Sequence, residues 1–309
     1  MNRLPLKRGI EALLAVLVAA ALSGNAVAQN RPRPNAPASP VLQSWMSPEV
    51  GAAWASGYRG QGITITIVDD FSSASRFRGN LSGASERLRH GEWTRKEAGL
   101  IAPSATLRSH DFATGRTVPL NTGFNVLNLS YGMMATAGLG TVGWSAQESS
   151  ILLYAGEGRA VVSKAAGNDA VAVGQPNAAG TLDYLNRDLI GKPSAIFVGA
   201  LSRNGTVAAP ASMASYSNFA GADVTVQNQF VVVGVESSKT GLAGTSFAAP
   251  IVSGYAAILA SKFTAATPNQ ITSQLLTTAR QDTVQGYNAA IHGRGEASIT
   301  RALSPVAIQ

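Results

Sequence analysis

Gly62-Ile63-Thr64-Ile65-Thr66-Ile67-Val68-Asp69 is β-branched from Ile63 to Val68 and stops on a carboxylate. Side chains branched at Cβ are stiff at χ1 and suit a pleated, buried strand. The run therefore predicts a strand whose carboxyl end presents Asp69. Residues 125–130, 160–166, 195–200 and 230–234 are further short apolar runs of the same kind. Between and after them, residues 145–158 predict a helix. Residues 246–262 are apolar, rich in Ala and long enough for a buried helix, and residues 269–280 predict a more polar one. Strands alternating with helices imply an α/β fold with a mostly parallel central sheet flanked by helices. In such sheets functional groups gather at the carboxyl ends of strands. Asp69, Ser130 and Asn168 all stand at such ends.

Composition narrows the choice. The chain has 309 residues, 13% charged and 45% hydrophobic, with 32 Gly and no Cys. So little charge and so much Gly exclude a coiled coil, and the apolar content excludes disorder. Without Cys there is no disulfide framework, thiolate metal site or Cys nucleophile. The three histidines, His90, His110 and His292, are too few for a multi-His cluster. No metal and no other cofactor is expected. The formal charge of +7 does not by itself mark a nucleic-acid binder, and none is expected as a partner.

Part of that charge lies in the leader. Arg3, Lys7 and Arg8 precede an apolar run over residues 12–22, followed by Ala26-Val27-Ala28. This is the pattern of a secretory signal peptide over residues 1–28, shorter than the ~20 apolar residues of a membrane span. An uncleaved anchor is the alternative. Cleavage would leave a secreted or periplasmic protein without membrane contact, expected to be a monomer. Residues 29–43 carry Pro32, Pro34, Pro37 and Pro40 and read as an extended linker. They are too few for a folding-assistant domain. Residues 44–305 read as one globular domain.

Gly244-Thr245-Ser246-Phe247-Ala248-Ala249-Pro250, followed by Ile251-Val252-Ser253-Gly254, carries the chemistry. It resembles the serine motif of the subtilases, the subtilisin-like serine proteases. There the Ser is the nucleophile and opens a buried helix whose small residues allow deep packing. On residues alone, Ser246 could equally be a helix N-cap. The resemblance implies a three-layer subtilisin-like fold and catalytic residues in the order Asp, His, Ser. Ile67-Val68-Asp69-Asp70 resembles the aspartate motif, implying Asp69 as the catalytic aspartate that orients the base, with Asp70 as its competitor. Phe71 stands where the family usually has Gly. His90-Gly91 resembles the histidine motif and implies His90 as general base. The following Glu92-Trp93-Thr94-Arg95-Lys96-Glu97 is more polar than the family's helix and predicts an exposed segment. Ile101-Ala102-Pro103-Ser104-Ala105 again matches the family.

Ala165-Ala166-Gly167-Asn168 resembles the segment whose Asn donates to the oxyanion, implying that role for Asn168. Asn128-Leu129-Ser130-Tyr131-Gly132 resembles the strand that pairs with substrate. Ser130, Tyr131, Gly132 and Ala165, Ala166, Gly167 then form the two walls of the pocket for the residue before the scissile bond. The resemblance implies an exported serine endopeptidase acting on proteins or peptides through an acyl-enzyme. Two alternatives stay open: a subtilase fold kept for binding with its chemistry impaired, and a serine esterase. Arg76, Arg78, Arg87, Arg89, Arg95 and Lys96 outnumber Glu86 and Glu92 around His90. This belt is either a solvated face or a preference for acidic substrate residues.

Overall fold

The computed structural model describes residues 40–308. The expected signal peptide over residues 1–28 and residues 29–39 of the expected linker lie outside the described residues. Six strands form one sheet: β1 (Ile63–Asp69), β2 (Thr106–Asp111), β3 (Phe124–Leu129), β4 (Val161–Ala165), β5 (Ala195–Leu201) and β6 (Phe230–Gly234). Their spatial order is β6-β5-β4-β3-β1-β2, and every pairing is parallel. The expected α/β fold is present.

The sheet has a core on each face. Ile63, Ile65 and Ile67 of β1 enter the larger core, together with α1 (Pro48–Ala55), α2 (His90–Ile101), α5 (Ala249–Lys262) and α6 (Pro268–Thr277). Val68 enters the second core, against α3 (Ala146–Glu157) and α4 (Tyr184–Leu189). The alternation of Ile with Thr in β1 thus has a cause. The Ile side faces helices. On the other face, which Val68 shares, the β2–β3 connection reaches Thr64, where Asn121 Nδ2 donates to its Oγ1 at 3.1 Å. That connection contains only a short 3₁₀ turn, Phe112–Thr114.

Local signals explain the helix ends. Ser145 caps α3 by accepting from Gln147 N at 3.1 Å, and Gly158 ends it at φ 65°, in the left-handed region open to Gly. The predicted polar helix starts one residue earlier than expected and ends at Thr277, after a Thr267–Gln270 capping box. In α5, Ala249 to Ser261 are all buried, as a helix apolar on every side requires. Ser246 does not begin this helix. It lies in a preceding 3₁₀ turn, Thr245–Phe247.

The helix after His90 corrects an expectation. It is not an exposed segment: Gly91, Trp93, Thr94, Glu97, Ala98 and Ile101 are buried along one stripe. Its polar look comes from the opposite face and from Thr94 and Glu97, which are polar yet inside. Gly254 of α5 packs on this stripe. A Cβ there would lie 2.3 Å from Ile101 Cγ2, so only Gly lets the two helices approach.

Glu97 is buried, and its Oε2 has no hydrogen-bond partner. Burial raises its pKa well above the ordinary 4.5. Above pH 4.5 the unfolded chain releases this proton while the folded chain holds it, so stability falls as pH rises. Glu97→Met should therefore be more stable than the parent at pH 8, by about 2 °C or more in Tm. The gap should shrink toward pH 4.5 in thermal unfolding scans. A gap independent of pH would contradict a protonated Glu97.

Candidate active site

β4, β3 and β1 are neighbours in the sheet and end at one level, with Val68 opposite Leu129 and Leu129 opposite Lys164. Asp69, Ser130 and the turn to Asn168 therefore line one edge. The 3₁₀ turn bearing Ser246 sits against that edge: Ser130 Oγ donates to Ser246 O at 2.9 Å.

Asp69 is fully buried and its two oxygens divide their partners. Oδ1 meets His90 Nδ1 at 2.6 Å and accepts from Asp70 N at 2.7 Å. Oδ2 accepts from Thr94 Oγ1 at 3.0 Å. Thr94 lies one helical turn after His90, so the same helix presents the imidazole and orients the carboxylate. Its role could be sought only from that spacing, once His90 was placed.

Gly91 explains why a Gly follows the His. Gly91 N donates to Asp70 O at 3.1 Å, docking the start of α2 on the end of β1. A Cβ at Gly91 would lie 2.6 Å from that same oxygen. Asp70 itself serves the turn, accepting from Ser72 N at 3.2 Å and Ser73 N at 2.8 Å. His110 stands in register with Val68 and so shares the sheet face opposite to Asp69. His292 is buried elsewhere, its ring stacked near Tyr287.

Ser246 Oγ donates to Ser130 O at 3.2 Å rather than to the imidazole. The His90 ring packs beside Phe247, with centroids 5.7 Å apart. Asn128, fully buried, ties the neighbourhood together. Its Nδ2 donates to Ser130 Oγ at 2.9 Å, and its Oδ1 accepts from Ser253 Oγ of α5 at 3.2 Å.

Asn168 is oriented by Thr245. Its Oδ1 accepts from Thr245 N at 2.8 Å and Thr245 Oγ1 at 3.0 Å. The carboxamide oxygen must face those donors, which turns Nδ2 away as a free donor. Thr245 Oγ1 in turn accepts from Gly167 N at 3.1 Å. Gly167 has φ 113°, and a Cβ there would strike Asn218 Nδ2 at 2.3 Å. Asn218 braces the turn: Nδ2 donates to Ala166 O at 3.0 Å, and Oδ1 accepts from Asp169 N at 2.9 Å. Thr245 and Asn218 were missing from the sequence reading as site residues, although Thr245 stands inside the quoted Gly244–Pro250 motif.

A cleft of about 290 Å³ opens here, lined by Ser130, Tyr131, Gly132, Ala165, Gly167, Asn168 and Ser246 among others. Ala166 corrects an expectation: it does not line the cleft, and its side chain is buried in the second core. Strand alternation turns it away from its neighbour Ala165. Tyr131 lies over Phe112, and burial together with the Glu148 carboxylate pushes its hydroxyl pKa up. At the base lie Lys164 and Asp183, which sequence reasoning also missed. The basic belt around His90 is partly neutralised: Arg76 and Arg89 pair with Glu92, and Lys96 with Glu86.

The subtilase family model matches residues 92–295. The chain belongs to the subtilase family. It is a subtilisin-like serine peptidase. The matched span holds Asn168 and Ser246 and opens two residues after His90, so Asp69 and His90 stand on geometry. Among solved structures, this subtilase resembles MycP1 from Mycobacterium smegmatis at 18% identity and TM-score 0.55, covering 88% of this chain and 87% of that one. It also resembles proteases from Pseudoalteromonas arctica at 18% identity and TM-score 0.52, covering 83% and 93%. At such identities the likeness is one of fold. A comparison with curated protein sequences returned no match. Among the described residues, no helix is long and apolar enough to cross a membrane.

The Gly91 contact gives a test. Gly91→Ala must displace the start of α2 from Asp70 and carry His90 with it. Its rate of reaction with a fluorophosphonate probe should drop at least ~10-fold, about 1.4 kcal/mol of barrier. An unchanged rate in a folded variant would show that His90 tolerates the shift.

Proposed function

We propose that this subtilase is an exported serine endopeptidase that cleaves peptide bonds through Ser246, His90 and Asp69. The observation that carries the reading is the buried Asp69 carboxylate held 2.6 Å from His90 Nδ1, on a helix packed against the one that follows Ser246. A carboxylate at Nδ1 fixes the tautomer that leaves Nε2 free to accept a proton, and it stabilises the imidazolium once formed. The intact pair also speaks against loss of chemistry around an altered His helix.

Ser246 has one hydroxyl proton, and at rest it goes to Ser130 O. A substrate strand adding to Ser130–Gly132 would bring its own N–H groups to that edge. With the Ser130 carbonyl taken by substrate, the hydroxyl is released to turn to Nε2. His90 then accepts its proton as Oγ attacks the scissile carbonyl, giving a tetrahedral oxyanion. The free Nδ2 of Asn168 supplies a donor where that charge forms. His90 next gives its proton to the leaving amine, and water repeats the sequence on the acyl-enzyme. Export follows from the leader over residues 1–28, with a mature N-terminus near Gln29. The substrates in this reading are proteins or peptides, and the working unit is a monomer.

A fluorophosphonate should label Ser246 stoichiometrically, and Ser246→Ala should abolish both labelling and casein hydrolysis. Absence of labelling in the folded parent would remove the peptidase reading. Asn168→Ala should lower kcat about 10²–10³-fold with little change in KM, because its donor acts on a charge present only in the transition state. Active-site titration before the kinetics separates that loss from a loss of folded enzyme.

A further inference from the structure

The lining of the cleft includes the deeply buried polar groups Lys164 and Asn186, with Asp183 beside them, and these form its floor. Lys164 is the penultimate residue of β4, with its side chain 1% exposed. Its Nζ donates to Ala165 O at 2.7 Å and to Asp183 Oδ2 at 3.2 Å. An ammonium has three N–H groups, so one remains. Burial pulls the Lys164 pKa down, while Asp183 holds it up. Asp183 is fixed in turn: its Oδ1 accepts from Met133 N at 2.9 Å and Leu185 N at 3.1 Å, capping α4. Gly132 lets it approach, since a Cβ there would lie 2.9 Å from Asp183 Oδ2.

Asn186, one turn into α4, lines the same cleft and is 1% exposed. Its Nδ2 donates to Ala166 O at 2.9 Å. Its Oδ1 is buried and has no partner among the described residues. Buried acceptors without partners are rare in native proteins and call for an explanation. The floor thus holds one spare donor, on Lys164, and one spare acceptor, on Asn186.

We propose that this floor selects a carboxamide side chain, Gln or Asn, at the residue before the scissile bond. The inference rests on the peptidase reading above, which places that residue in this cleft. A carboxamide carries an acceptor oxygen for Lys164 and an NH₂ donor for Asn186 on separate atoms. An aliphatic side chain would seal both groups from water unpaired. An ammonium or guanidinium would face Lys164. A carboxylate would satisfy Lys164 but meet the Asn186 oxygen, with Asp183 and Asp169 lining the same cleft.

The test is a peptide panel differing only at that residue: Gln, Asn, Met, Leu, Lys and Glu. Gln or Asn should exceed Met and Leu by at least ~10-fold in kcat/KM and should also lead Lys and Glu. A panel led by Met, Leu, Lys or Glu overturns the proposal. In Lys164→Met/Asp183→Asn, which removes both charges at similar volume, the Gln to Met ratio should fall toward one. An unchanged ratio overturns the assignment to this floor. The parent panel decides even if that variant fails to fold. Fluorophosphonate labelling of the parent separates the two levels. A labelled enzyme that prefers apolar residues sinks this inference alone, whereas an unlabelled one sinks the peptidase reading and this inference with it.

Discussion

Gly254 has no room for a side chain, and the site depends on that lack. The contact with Ile101 sets the distance between the helix that carries His90 and the one that follows Ser246. Interiors are close-packed, so a bulkier residue there could not be absorbed locally. It would push α2 and α5 apart. The imidazole and the turn bearing Ser246 come from different chain segments, and this approach brings the His90 ring beside Phe247 of that turn. Gly91 does the same at the other end of α2, where it docks His90 on the end of β1.

Around that framework, polar groups act as positioning devices. Asp69 sits at zero exposure, where its charge is costly unless fully hydrogen-bonded. His90, Thr94 and the Asp70 amide meet that need, and the same bonds fix the imidazole. Thr245 works similarly for Asn168: by occupying the carboxamide oxygen it settles which way the amino group points. Asn128 links the substrate edge to α5 through Ser130 and Ser253. These are low-dielectric networks, in which losing one partner costs more than the pair contributes in water.

Glu97 and Lys164 are buried titratable groups outside that scheme, and they differ in kind. Glu97 Oε2 has no hydrogen-bond partner among the described residues, and burial raises its pKa well above the ordinary value. Lys164 has a carboxylate partner and faces a cleft. The first is a local cost to stability. The second places a cationic donor in a pocket whose upper walls, at Ala165 and Gly167, carry little or no side chain. Net charge and composition are blind to this difference, because both depend on what surrounds each group.

The strands were legible because β-branched runs carry their own signal. β1, β3, β4, β5 and β6 all fall on quoted runs, and α3 falls between its Ser145 cap and Gly158. Ser246 and Asn168 were legible because each sits in a contiguous motif. The burial of α2 was not: Trp93, Thr94 and Glu97 form a stripe only when α5 is present to cover it. The reverse failure occurred at Ala166, whose motif neighbours line the cleft while pleating turns it away. By itself, then, the sequence determined five of the six strands of the sheet, the helices α3, α5 and α6 and the motif residues, since those signals lie within a few positions of one another. Only the tertiary structure decided that Asp69 meets His90, that Thr94 and Thr245 orient them and Asn168, and that Lys164 faces Asp183. Those contacts join residues far apart in the chain, and sheet order and helix packing, not local propensity, determine which of them meet.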